Sequence, residues 1–270
     1  MPDRRSGRTP PSPLSPDILV RETLRNLRER GTIGQCLRAL EHLRAAALPP
    51  LQRPLLPLIV RQIRSTAHVH DVDNLISAAS RQFLRAIVPI QKRSEIRGLM
   101  KAVRTLAPSR VLEIGTANGG TLFLLTRVSA PDAHVISVDL PGGPFGGDKN
   151  EWKHSIWKAF ATGRQKMTLL RADSHKHETL ERVRQHLDGH ALDFLMIDGD
   201  HTYDGVKMDF EMYSPLVRSG GLIAFHDICP HPHGFGGEVF RYWQDVKKGR
   251  QATEFVENPA TGFGIGLLRV

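Results

Sequence analysis

Val111-Leu112-Glu113-Ile114-Gly115-Thr116-Ala117-Asn118-Gly119-Gly120-Thr121 is the stretch whose reading decides the fold. A short apolar strand runs into a glycine-rich turn, and a helical pattern follows from Gly119 to Val128. Such a turn leaves backbone amides unpaired at a helix N-terminus and lets a ligand come close to the main chain. Val135-Ile136-Ser137-Val138-Asp139 is the next strand, and its terminal acid lies 24 residues beyond Gly115. A carboxylate in that place can accept both hydroxyl hydrogens of a ribose. Together the two elements indicate a cofactor that contains adenosine.

The turn also discriminates between cofactors. A dinucleotide site prefers Gly-x-Gly-x-x-Gly, but here Ala117 takes the second glycine position and Glu113 precedes the first. That acid would repel a pyrophosphate and suits a cationic amino-acid group. S-adenosylmethionine carries both a sulfonium and an ammonium.

From Arg110 onward, strands and helices alternate, which argues for a parallel sheet with helical crossovers. Strands are expected over 111–114, 134–138, 167–170, 192–197, 222–225, 254–257 and 264–268, with helices over 152–161, 176–187, 203–216 and 238–246. Before this, residues 1–16 hold proline, serine and arginine with little apolar content, and read as a flexible basic tail. Residues 17–108 read as a helical N-terminal appendage, in which 73–87 and 94–106 show helical spacing and prolines punctuate 49–57. Residues 109–270 form the α/β domain.

Composition bounds the classes open to the chain. With 270 residues, 40% hydrophobic and 24% charged, it reads as an ordinary globular protein. Cys36 and Cys229 show no metal or disulfide spacing, no run of 18 apolar residues occurs, and no apolar core of a secretory signal follows the first arginines. A soluble, cytoplasmic protein without a membrane span is expected. The net charge of +9 is uneven: residues 1–110 hold 20 Lys and Arg against 8 acids, and residues 111–270 hold 17 against 20. A basic arm can bind nucleic acid, but the segment has neither an RNA-binding module nor an aromatic stacking motif, so a solvated arginine-rich face is the plainer reading.

Three further strand ends carry chemistry. Leu169-Leu170-Arg171-Ala172-Asp173-Ser174-His175 sets Asp173 where it could accept from an adenine amino group, with Ser174 beside it; Asp-Ser is also an ordinary helix cap. Phe194-Leu-Met-Ile-Asp198-Gly-Asp-His201-Thr-Tyr203 and Gly220-Gly-Leu-Ile-Ala-Phe-His226-Asp227 bring Asp198, His226 and Asp227 to one sheet edge if their strands are adjacent. Two carboxylates and an imidazole can hold a divalent cation, and His201 is placed to take a proton from a substrate hydroxyl. Asp200 reads as a loop or cap residue. His231 and His233 are candidate substrate or supporting contacts, and Pro141–Gly147 reads as a mobile flap.

In this order the motifs resemble class I S-adenosylmethionine-dependent methyltransferases over residues 90–270, nearest to the bacterial group described as cephalosporin-hydroxylase-like or macrolide/sugar O-methyltransferase-like. The resemblance implies a Rossmann-like sheet of seven strands, in the order 3-2-1-4-5-7-6 with the last strand antiparallel. It implies cofactor contacts at Glu113, Gly115, Thr116, Asn118, Gly119, Asp139, Asp173, Ser174 and Asp198. It also implies a metal (Mg²⁺ or Mn²⁺) at Asp198, His226 and Asp227, with His201 as the base. One departure stands out: His226 falls where sugar-modifying relatives carry a carboxylate, and imidazole suits Mn²⁺, Fe²⁺ or Zn²⁺ better than Mg²⁺. The expected activity is O-methylation of a small-molecule hydroxyl on a sugar, glycoside or other natural product, with homo-oligomerisation through the N-terminal helices. The rivals are a nucleic-acid methyltransferase and a non-catalytic cofactor-binding scaffold.

Overall fold

The computed structural model describes residues 52–142, 151–231 and 237–270. The expected tail, the helices before residue 52, the greater part of the Pro141–Gly147 flap and His233 lie outside the described residues. Contacts group Leu55–Val270 into one compact unit, apart from Met1–Pro54.

That unit begins with three helices, α1 (Leu56–Ser65), α2 (Val72–Arg81) and α3 (Arg93–Leu106). Then come β1 (Arg110–Ile114), α4 (Gly120–Val128), β2 (His134–Asp139), α5 (His154–Lys158), β3 (Lys166–Arg171), α6 (His177–Leu187), β4 (Leu192–Ile197), α7 (Tyr203–Tyr213), β5 (Val217–Cys229), α8 (Val239–Val246), β6 (Ala252–Phe255) and β7 (Phe263–Arg269). The strands form one sheet in the order β3-β2-β1-β4-β5-β7-β6, as expected. Strands β1 to β5 pair in parallel, while β7 runs antiparallel to both β5 and β6.

Side chains on a strand alternate between faces, so each strand feeds two cores. Val111, Val135, Phe194, Met196, Leu222 and Ala224 pack with α1 to α5. Leu112, Ile136, Leu195, Ile197, Ile223 and Phe225 pack with α6, α7 and α8. The helices preceding β1 therefore cover one side of the sheet.

Several boundaries differ from the sequence expectation for physical reasons. The proline-punctuated stretch contains helix α1, because Pro57 stands in its first turn, where no N–H is required. The helix expected to reach Ile87 stops at Arg81, since Phe83, Leu84 and Arg85 take positive φ and turn Phe83 into the core against Phe123. Strand β5 runs from Val217 to Cys229, longer at both ends than the 222–225 expected, so Gly220-Gly221 lies within the strand.

The start of α3 straps down the far edge of the sheet. The Glu95 side chain is fully buried and accepts from the backbone N–H groups of Glu257 and Gly264. Lys92 donates to the carbonyls of Asn258 and Gly262 and to the hydroxyl of Thr261, holding the loop between β6 and β7. Replacing Glu95 by alanine strands two backbone donors and should lower the unfolding free energy by about 2–4 kcal/mol. A denaturant midpoint no lower than that of the wild type would contradict this account of the strap.

Candidate active site

The parallel strands β1 to β5 deliver their carboxyl ends to one edge, where a cavity of about 330 Å³ opens. Its wall includes Gly115 and Ala117 after β1, Asp139 at the end of β2 and Leu140 after it, Ala172 to His175 after β3, Asp198 to His201 after β4, and His226 and Asp227 within β5. Ile90 and Phe263 complete the apolar part of the wall.

Two glycines allow the turn after β1. Gly115 has φ of +91° and passes so close to the carbonyl of Asp198 that a Cβ would overlap it. Gly119, at φ +83°, lies flat against the indole of Trp157. The turn is braced from outside by Trp157, which donates to the Asn118 carbonyl at 3.3 Å, and by Lys153, whose Nζ is 3.0 Å from Asn118 Oδ1.

Glu113 is completely buried on the face of β1 that otherwise packs apolar side chains, and neither of its oxygens has a donor in bonding geometry. The hydroxyls of Thr116 and Ser137 stand beside it and bond each other. Burial, and then the charges of Asp198 and Asp139, hold the Glu113 carboxyl well above the usual carboxylate range. Asp139 is gripped by Arg171 at 3.0 Å and lies 3.4 Å from the Thr116 N–H. Of the residues expected to contact the cofactor, Gly115, Asp139, Asp173, Ser174 and Asp198 line the cavity; Glu113, Thr116, Asn118 and Gly119 stand behind or beside that wall.

The ends of β4 and β5 form the second half of the site. Asp227 takes φ of +61° at an irregularity in the pairing of β5 with β7, which breaks the strand alternation there. His226 and Asp227 thereby both meet the β4 end. His226 Nδ1 lies 3.1 Å from Asp198 Oδ1 and 3.4 Å from Asp227 Oδ1. His201 bridges the same two acids, with Nε2 at 3.5 Å from Asp198 Oδ1 and Nδ1 at 3.4 Å from Asp227 Oδ2. Ligand atoms of Asp198, His201 and Asp227 all lie within 4.8 Å of one another, a spacing that could accommodate a cation. His226, expected among the ligands, directs Nδ1 at Asp198, and its Nε2 is buried without a hydrogen-bond partner.

Charge shapes this cluster. Burial alone would raise the Asp198 carboxyl, but His226 and His201 outweigh it and hold the group at about 2. Burial would lower His226, yet Asp198 and then Asp227 push it up to about 9. His201 is likewise raised by Asp198 and Asp227 against its burial.

Some partners have no signal in the local sequence. Gln91, 107 residues before Asp198, donates from Nε2 to Asp198 Oδ2 at 2.8 Å and is itself oriented by the Thr121 hydroxyl at 2.9 Å. His231 comes to 3.0 Å from Asp227 Oδ1, while the Phe263 N–H lies 3.2 Å from the same imidazole nitrogen. Asp200 caps its own loop, accepting from the Thr202 N–H at 2.8 Å.

A seven-stranded sheet in this order, covered on both faces and open to a cavity at the carboxyl edge, is an α/β arrangement in which ligands bind at the carboxyl ends of the strands. Residues 112–228 match the family model described as a methyltransferase domain. The chain is 28% identical over 174 residues to an uncharacterized protein of Sinorhizobium fredii, covering 63% of this chain and 18% of that protein. Over 117 residues it is 30% identical to an uncharacterized protein of Acanthamoeba polyphaga mimivirus, covering 43% of this chain and 50% of the other. It thus spans half or less of the length of these curated relatives. Among solved structures, one from Staphylococcus aureus described as a candidate caffeoyl-CoA O-methyltransferase shares the fold, with a TM-score of 0.51 at 17% identity over 81% of this chain and 99% of that one. Among the described residues no helix is long and apolar enough to cross a membrane.

An acid buried without partners weakens the protein that contains it. Glu113→Gln should therefore raise the unfolding free energy of the cofactor-free protein by about 1 kcal/mol, or roughly 2–4 °C in melting temperature. Because the folded-state pKa is raised, the advantage of the variant is absent below the unfolded glutamate value of about 4.3 and grows as pH rises above it. A variant less stable than wild type at neutral pH would refute this.

Proposed function

We propose that the chain is an S-adenosylmethionine-dependent O-methyltransferase acting on a hydroxyl of a small molecule such as a sugar, a glycoside or another natural product. One observation carries the reading: a single cavity joins the turn after β1 and the acid ending β2 to a base-and-carboxylate cluster on β4 and β5. The first half suits adenosine and a cationic amino-acid group, since Gly115 permits close approach, Asp139 stands at the ribose position and Glu113 holds a buried carboxyl behind the turn that a bound cation would draw toward its ionised form. When bound, the cofactor supplies an electrophilic methyl on a sulfonium.

The second half supplies acceptor activation. His201 takes the hydroxyl proton as the oxygen gains the methyl and the sulfonium becomes a neutral thioether. Asp198 and Asp227, with the imidazole of His226, would hold a divalent cation whose chemistry is to make a bound hydroxyl more acidic, and His201 acts as the base. The mixed oxygen and nitrogen donors favour Mn²⁺ over Mg²⁺. Gln91 keeps Asp198 aimed at this point, and the apolar Ile90, Leu140 and Phe263 help exclude water.

The test is a screen of hydroxylated small molecules for methylated product, with and without divalent metal. His201→Ala should bind S-adenosylhomocysteine within about twofold of wild type yet lose about two orders of magnitude in turnover; unchanged turnover would reject it as the base. Chelation should lower turnover by about tenfold or more, with Mn²⁺ restoring it better than Mg²⁺. Full activity after exhaustive chelation would remove the metal from this reading.

A further inference from the structure

The two faces of the sheet differ in charge. Helices α1 to α5, on one face, hold nine Lys and Arg against two acids, whereas α6 to α8, on the other, hold four against six. Both acids of the first face are already engaged: Asp73 pairs with Arg93 and Arg97, and Glu95 is buried in the strap. The excess positive charge of that face is therefore turned to solvent.

Helix α1 adds apolar surface to this charge. Ile59 and Ile63 face the core, while Leu55, Leu58, Arg61 and Arg64 follow one another at a spacing of three, an oblique row on the outside. Leu55 and Leu58 keep 40% and 46% exposure. Of the other exposed large apolar side chains, Ile90 and Leu140 belong to the cavity wall; Leu55 and Leu58 lie apart from it. No acid occurs between residues 55 and 70.

The row stands on a fixed platform. Arg127 of α4 donates through Nη2 to the Ile63 carbonyl at 2.8 Å and to Thr66 Oγ1 at 3.3 Å, which closes the C-terminal end of α1. Helix α1 packs against the Phe83–Arg85 turn and against α5, and these carry the exposed Arg85 and Lys158. Arg61, Arg64, Arg85 and Lys158 form no ion pair with any described residue.

A soluble strand of nucleic acid is held by cations together with aromatic stacking, and no aromatic ring is among the exposed large apolar groups of the described residues. Aliphatic tips beside arginines on a helix lying along the surface suit a bilayer interface, where the tips enter between acyl chains and the cations meet headgroup phosphates. We propose that α1 is a peripheral docking surface for an anionic lipid membrane, with Leu55 and Leu58 entering the headgroup region and Arg61, Arg64, Arg85 and Lys158 pairing with lipid phosphates. No spanning helix is needed for such docking. It uses no residue of the cavity, so it stands independently of the methyltransferase reading.

Sedimentation of the full chain with vesicles tests this, using phosphatidylcholine alone and phosphatidylcholine mixed with phosphatidylglycerol. The protein should sediment with the mixed vesicles, stay in solution with phosphatidylcholine alone, and be released as salt rises. Arg61→Ala with Arg64→Ala should weaken binding to mixed vesicles by about 20-fold, and Leu55→Ser with Leu58→Ser by about tenfold. Arg184→Ala with Lys207→Ala removes the same charge from the opposite face and should stay within about twofold of wild type. All of these side chains except the control pair lie on the proposed surface, and all are exposed, so the variants keep the fold. A wild type that ignores mixed vesicles or binds phosphatidylcholine alone equally well overturns the proposal, as does a control pair that loses as much as the arginine pair. Loss with the arginine pair but not the leucine pair would mark a face for a soluble polyanion such as RNA. A leucine pair that changes the oligomeric state and not vesicle binding would mark an interface between copies, and either result overturns the proposal.

Discussion

Negative charge crowded at the carboxyl edge of the sheet is the constraint on which the rest of the site depends. Glu113, Asp139, Asp198 and Asp227 are all at least nine-tenths buried or line the same cavity, in surroundings where a lone carboxylate is costly. The protein answers three of them from within. Arg171 takes Asp139, Gln91 with two histidines takes Asp198, and His201, His226 and His231 surround Asp227. Glu113 has no cationic partner of this kind among the described residues; the hydroxyls of Thr116 and Ser137 stand beside it, and burial holds its carboxyl well above the usual carboxylate range. Sites that store unfavourable electrostatics in this way are where binding and catalysis are found.

Geometry sustains the crowding. Gly115 lets the β1 turn pass against the Asp198 carbonyl, and Gly120 lets the start of α4 pack on the backbone of Ile87 and Pro89, which brings Gln91 to Thr121. The positive φ of Asp227 breaks the alternation of β5 so that two consecutive residues meet the β4 end. The strap from Lys92 and Glu95 fixes the loop before Phe263, whose N–H approaches His231, so the segment preceding the sheet shapes both aspartates of the cluster.

Much of the fold was legible because buried parallel strands read as apolar runs that end in acids, and Glu113, Asp139, Asp173 and Asp198 each mark such an end. The strand order followed from the family resemblance. Helix α1 was hidden because Pro57 reads as a breaker unless its place in the first turn is known. Gln91 and the bridging of two acids by His201 could not be read, since each depends on contacts between residues distant in sequence or on a local irregularity that has no periodic signature. Periodicity reports which face a residue takes, whereas these roles depend on what stands opposite.

The claim at the centre of this account is that the cavity is built for a cationic adenosyl ligand and not for a pyrophosphate. Titration calorimetry of the full chain with S-adenosylmethionine and, separately, with NAD⁺ tests it most directly. One-to-one binding of S-adenosylmethionine in the micromolar range with no measurable heat from NAD⁺ is the predicted result; binding of NAD⁺ with none of S-adenosylmethionine would contradict it.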